Sequence, residues 1–140
     1  MIYEDFKTKS MSVAECCDWL AHDDGFTRVP EIYDGKLFHP KWQRNEEGKT
    51  AYYAECPIVP TLDAAARCIP DGFNVIVDVR VSDSNYGTPL DRYVIATAHR
   101  ASAMGGSHTV TAYVSANDEL TARFRLAVET RMALKRNTYA

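Results

Sequence analysis

Hydrophobic and polar positions alternate most strictly between residues 73 and 81. Phe73, Val75, Val77, Val79 and Val81 share one side, and Asn74, Ile76, Asp78 and Arg80 the other, which is the period-two pattern of a β-strand. Two further strands, roughly 92–99 and 109–114, follow across polar loops at 82–89 and 101–107. Connections of under about ten residues favour an antiparallel meander, because parallel crossovers need about a dozen residues or more.

Helical spacing flanks this meander. Ser12-Val-Ala-Glu15 reads as a capping box, and Val13, Cys16, Cys17 and Leu20 then fall on one face. Asp23-Asp24-Gly25 should end that helix. Thr61 caps a second, short helix with Leu62, Ala65, Ala66 and Ile69 on its apolar side, closed by Pro70-Asp71-Gly72. A long third helix runs from a cap at Ser115 or Asp118 to about Arg136. On it Leu120, Phe124, Ala127, Val128 and Leu134 share a face, and Arg131 lies within that stripe, where it must reach a rim or a carboxylate. The stretch from 26 to 50 is less regular. Asp34-Gly35 predicts a two-residue hairpin turn. Pro40 is expected to break the strand after it, residues 45–48 to turn again, and residues 49–56 to return as a strand.

The expected fold is α+β: an antiparallel sheet of three to four strands with two or three helices packed on it, in α-β-α layers. One sheet face reads as fully covered and the other as partly covered, with the first helix or the 26–50 segment as its shield. The 140 residues suit a single domain, since domains commonly run to about 100–150 residues. Within it, 1–25 carries the first helix, 26–56 is a hairpin-containing insertion, and 57–140 is a helix–meander–helix core.

Composition narrows the class. Apolar residues make up 46% and charged residues 25%, ordinary globular values that exclude wholesale disorder. No apolar run approaches the roughly 18–20 residues of a membrane span, and the first residues carry acids where a secretory signal would be basic. The expectation is a cytoplasmic protein with no membrane partner. Net charge is −3, with acids concentrated before residue 35 and five bases between Arg123 and Arg136. Such a balance gives no overall pull toward nucleic acid. Four cysteines without C-x-x-C pairs read as reduced thiols, so no metal and no cofactor is expected.

From Pro57 onward the chain resembles the phage ABA sandwich domain, a family of small bacteriophage proteins. The features carrying this are Pro57-Ile-Val-Pro60-Thr61-Leu-Asp-Ala-Ala-Ala66 leading into a helix, the meander, and a final helix bearing Ala122, Ala127 and Ala133. Val59-Pro60 replaces the family's aromatic-serine step, and the 26–50 insertion lies outside its pattern. The resemblance implies an α-β-α layered domain without established chemistry, and a phage accessory protein working in the bacterial host.

The densest chemical cluster is Lys36, His39, Lys41, Trp42 and Arg44, with Lys49, Tyr52 and Tyr53 following. Bases among aromatics suit nucleic acid, and Trp, Tyr and Arg also anchor protein interfaces. A plainer account is a hairpin whose Trp packs inward, since Glu46, Glu47 and Glu55 dilute the charge. The expected partner-binding residues are Lys41, Trp42, Arg44, Tyr52 and Tyr53, with the acidic first helix as a polyanion mimic. Met104-Gly105-Gly106-Ser107-His108 lacks a phosphate-loop spacing and reads as a strand connector. His99 and His108, with Asp78, Asp83 or Asp91 and Ser102 or Ser107, permit a catalytic drawing, but nothing in their spacing requires one. No catalytic residue is assigned. The function expected is non-enzymatic binding of a host protein, with inhibition of a defence complex such as a CRISPR effector as the target class. The alternatives are a nucleic-acid-binding accessory protein and a small hydrolase or nucleotide-binding protein. A dimer is compatible with a half-covered sheet.

Overall fold

The computed structural model describes residues 10–33, 35–81, 92–101 and 109–136. The two meander loops, the Gly-rich stretch at 104–108 with His108, and Asp34, Asp83, Asp91, Ser102 and Ser107 lie outside the described residues. The fold is α+β, with three helices and two three-stranded antiparallel sheets. Helix α1 (Val13–Asp23) begins at the expected capping box: Ser12 Oγ accepts from Glu15 N, and Glu15 Oε1 accepts from Ser12 N, both at 3.2 Å. It ends where Gly25 adopts φ +93°, a conformation that glycine takes without a Cβ penalty.

The first sheet has the order β1 (Thr27–Tyr33), β2 (Lys36–Glu46) and β3 (Lys49–Tyr53). Pro40 does not end its strand, contrary to the sequence expectation. The register slips between Val29, opposite Lys41, and Glu31, opposite Phe38, so Pro30 and Pro40 both fall at a bulge. A bulge leaves ladder groups unpaired, and proline without its N–H is tolerated there. Glu47 and Gly48 make the second turn at φ +51° and +80°, the twin left-handed conformations of a two-residue hairpin. The returning strand is shorter than expected and stops at Tyr53.

Helix α2 (Leu62–Cys68) is capped by Thr61, whose Oγ1 accepts from Ala64 N at 3.2 Å. Its buried side is Ala64, Ala65 and Cys68, a face rotated from the one expected; Leu62 and Ala66 are exposed. The meander is as its pattern predicts: β4 (Asn74–Val81), β5 (Arg92–Ala101) and β6 (Thr109–Ala116) pair in that order. Helix α3 (Glu119–Arg136) follows, with Asp118 accepting from Thr121 N at 2.8 Å.

Helix α3 is buried on two sides, and this organises the molecule. Phe124, Ala127, Val128 and Met132 pack with Cys16, Cys17 and Leu20 of α1 and with Ala65 and Cys68 of α2. Ala122 and Leu126 pack on the second sheet, against Val94, Ala96, Ala98, Ala112 and Val114. Arg131 behaves as its place in the stripe required. Its Nε donates to Cys68 O at 2.9 Å, and one terminal nitrogen donates to Asp23 at 3.1 Å and to Asp24 at 2.7 Å. The first helix therefore sits on α3 rather than over the second face of the meander. The first sheet meets the far end of α1 through Ala21, Phe26 and Trp42. The meander keeps one face covered by α3 and one face uncovered among the described residues.

Candidate functional site

Of the residues singled out in the sequence, Trp42, Arg44 and Tyr53 share one face of the first sheet and Tyr52 lies on the other. Trp42 lies opposite Tyr53 while Gln43 lies opposite Tyr52. Trp42 is only 3% exposed. Its ring stands 5.2 Å from that of His22 and 5.7 Å below the Arg28 guanidinium. Arg44 lies over the Phe26 ring at 4.2 Å, and its Nε and a terminal nitrogen both donate to Glu46 Oε1, at 3.1 and 2.8 Å. Tyr53 donates its hydroxyl to the same oxygen at 2.7 Å and meets Phe26 edge-on. The Tyr53 and Arg44 hydrogen bonds hold the Glu46 carboxyl below its ordinary range, and the bond to Glu46 raises the Tyr53 phenol.

Trp42, Arg44 and Tyr53 thus form an internally satisfied network that seats the hairpin on α1. Tyr52, 64% exposed, is left on the opposite face. Lys41 holds its backbone register opposite Val29. Among the described side chains, Tyr52 is not brought onto the surface shared by Trp42, Arg44 and Tyr53, and the Arg44 charge is met by Glu46. The acids of α1 are likewise engaged: Asp18 pairs with Arg28 at 3.5 Å, Asp23 with Arg131 and Lys135, and Asp24 with Arg131.

A different surface stands out on the second sheet. Cross-strand pairing sets Ile76, Thr97 and Tyr113 in one row, Asp78, Ile95 and Ser115 in the next, and Asn74, His99 and Thr111 in a third. Ile76 is 50% exposed and Tyr113 56%. Thr97 and Ile95 lie half-buried between them, with polar residues on the flanking positions. The period-two pattern had already placed Ile76 among Asn74, Asp78 and Arg80. Its row partners come from strand register, which no single segment reveals.

For chemistry, His99 lies opposite Asn74 and Thr111, with Asp78 four positions farther along β4. A polar cleft of about 440 Å³ opens between the starts of α1 and α3, lined in part by Ser12, Tyr93, Asn117, Asp118 and Arg125, and His99 does not line it. Its charged groups have partners: Arg125 donates to Met11 O at 2.7 Å and to Ser115 O at 2.9 Å, while Asp118 accepts from Thr121. Among the described residues no group of three or more His, Cys, Asp or Glu is placed to hold a metal ion. No described helix is long and apolar enough to cross a membrane. No protein-family model, curated protein or solved structure matches the chain.

Proposed function

We propose that this chain is a non-enzymatic binding protein that docks on a partner protein with the uncovered face of its second sheet. The observation that carries the reading is the row Ile76–Thr97–Tyr113, in which an aliphatic and an aromatic side chain are left in solvent on either side of a half-buried threonine, across three strands in continuous register. Such a centre inside a polar rim is what protein interfaces use, with Tyr a favoured anchor and Asp78, Arg80 and His99 setting orientation. The opposite face packs on α3, so the row is presented without any rearrangement of the core. The resemblance of the sequence pattern at 57–140 to the phage ABA sandwich domain is the motive for proposing a bacterial host protein as the partner, with a defence complex as its class.

This reading moves the anchor away from Trp42. A nucleic-acid partner is less well supported, because Arg44, the central base of that cluster, is already bound to Glu46. The test is capture from bacterial lysate on the tagged chain, with and without nuclease, followed by rebinding of the purified captured protein. Wild-type and Tyr52→Ala should retain it alike after nuclease treatment. Tyr113→Asp and Ile76→Asp should weaken rebinding on the order of tenfold or more, since an interface centre is worth about 1–2 kcal/mol or more per anchor. Equal retention by the sheet-face variants, or material released by nuclease, would overturn the proposal.

A further inference from the structure

Strand β4 is an edge of the second sheet: the order β4–β5–β6 leaves its outer side without a strand among the described residues. Exposed edges are usually blunted by lysine, proline or a bulge, because their free N–H and C=O groups accept another strand. The β4 sequence NVIVDVRV has no proline, glycine or lysine, and it pairs with β5 without a register break. Its core-facing side is also left unfinished. Val75 and Val77 are half-buried against the sheet's core, but Val79 and Val81, in the same row, are 59% and 50% exposed.

We infer that β4 pairs antiparallel with β4 of a second copy of this chain, joining the two meanders into one six-stranded sheet about a two-fold axis through Val79. Strand parity restricts the choice of axis. Directly opposed residues in an antiparallel pair point to the same face, so the two-fold must pass through a residue. An axis at Asp78 sets two like charges against each other. An axis at Val77 places Asp78 opposite Ile76 and leaves its charge unmatched. An axis at Val79 sets Asp78 opposite the second copy's Arg80 and Arg80 opposite the second copy's Asp78. The same register places Val79 against itself and Val77 against Val81, which covers the two valines that α3 does not reach. Charge complementarity and the uncovered apolar row thus select one register. The edge shares Asp78 and Arg80 with the rim of the docking face above, but its test reads self-association alone and needs no host protein.

The experiment is sedimentation velocity on the purified full chain and on charge-reversed versions. Wild-type should form a dimer. Asp78→Arg alone and Arg80→Asp alone each turn both cross-axis pairs repulsive, and each should weaken dimerisation on the order of tenfold or more. Mixing the two single variants restores opposite charges at every pair, so the mixture should dimerise again, as should the double variant D78R/R80D. Recovery in the mixture also shows that both single variants are folded. A monomeric wild-type, or single variants that dimerise as well as wild-type, would overturn the inference. So would a mixture that stays monomeric while both variants keep native circular dichroism.

Discussion

Removing the Arg131 guanidinium would take one donor each from the Asp23 and Asp24 carboxylates and from the helix-end carbonyl of Cys68. Its side chain and that of Asp23 are each only 15% exposed, so water replaces the lost bonds poorly. Arg131→Met should therefore lower unfolding free energy by about 2–3 kcal/mol, below the largest losses for fully buried pairs because Lys135 still reaches Asp23. The double variant Arg131→Met with Asp23→Asn should lose less than the sum of the singles, because the stranded charge is removed with its partner. Urea unfolding of the four proteins measures this. The thiols supply a second residue-scale expectation. Burial pushes Cys16 up to about 12, against small opposing help from Arg125, and burial with the neighbouring Cys56, Cys16 and Cys68 does the same for Cys17. Below the ordinary thiol value of 9.0 both states keep their protons and nothing differs. Above it the unfolded chain ionises while the folded chain resists, so stability falls as pH rises from about 9 toward about 12. The urea midpoint should drop through that window, and more gently in Cys16→Ala, whatever that variant does to stability at neutral pH.

At the scale of elements, the hairpin joining β2 and β3 carries a residue that does not suit its conformation. Glu47 holds φ +51°, where a side chain costs about 1 kcal/mol unless it is Asn or Gly. Glu47→Asn would give the Asn-Gly pair preferred in this turn. It should raise stability by roughly 0.5–1 kcal/mol, seen as a higher melting temperature with unchanged circular dichroism. The same turn shows what was legible in the sequence. Signals carried within one stretch of chain read correctly: the Ser12–Glu15 capping box, the hairpin at Gly35, the alternation of β4, and the antiparallel order of the meander strands. Signals that depend on a second element did not. Pro40 reads as a break until Pro30 on the paired strand shows a bulge that accommodates both. The face of α2 is not legible in the sequence because seven alanine-rich residues carry almost no stripe; its burial is set by where α3 lies. Trp42 and Arg44 could not be divided between packing and surface without knowing which side of the hairpin meets α1. The row Ile76–Thr97–Tyr113 needs three strands in register.

For the whole molecule, α3 acts as a hub whose two sides serve different partners, and this predicts unequal local stability. The second sheet is fastened along α3 by Ala122 and Leu126 and a row of fully buried small residues. The first sheet reaches the rest through a narrower junction: Trp42 beside His22, Phe26 and Ala21, the Arg28–Asp18 pair, and Cys56, whose Sγ donates to Cys17 O at 3.7 Å. Segments with fewer buried apolar contacts open at lower free energy than the core. Amides of β2 and β3 should accordingly exchange with solvent through partial opening, before those of β5 and the middle of α3. Trp42→Ala removes the largest side chain at the junction, a truncation that costs about 3–5 kcal/mol in a packed core. It should speed exchange in β1–β3 by orders of magnitude and leave β5 nearly unchanged, together with the row of Ile76, Thr97 and Tyr113. Hydrogen exchange read by mass spectrometry distinguishes this from a single cooperative unit, in which β5 would accelerate equally. The result also bears on Trp42 itself. If the variant keeps its partner while its first sheet loosens, Trp42 works by packing, and the binding energy resides in the second sheet.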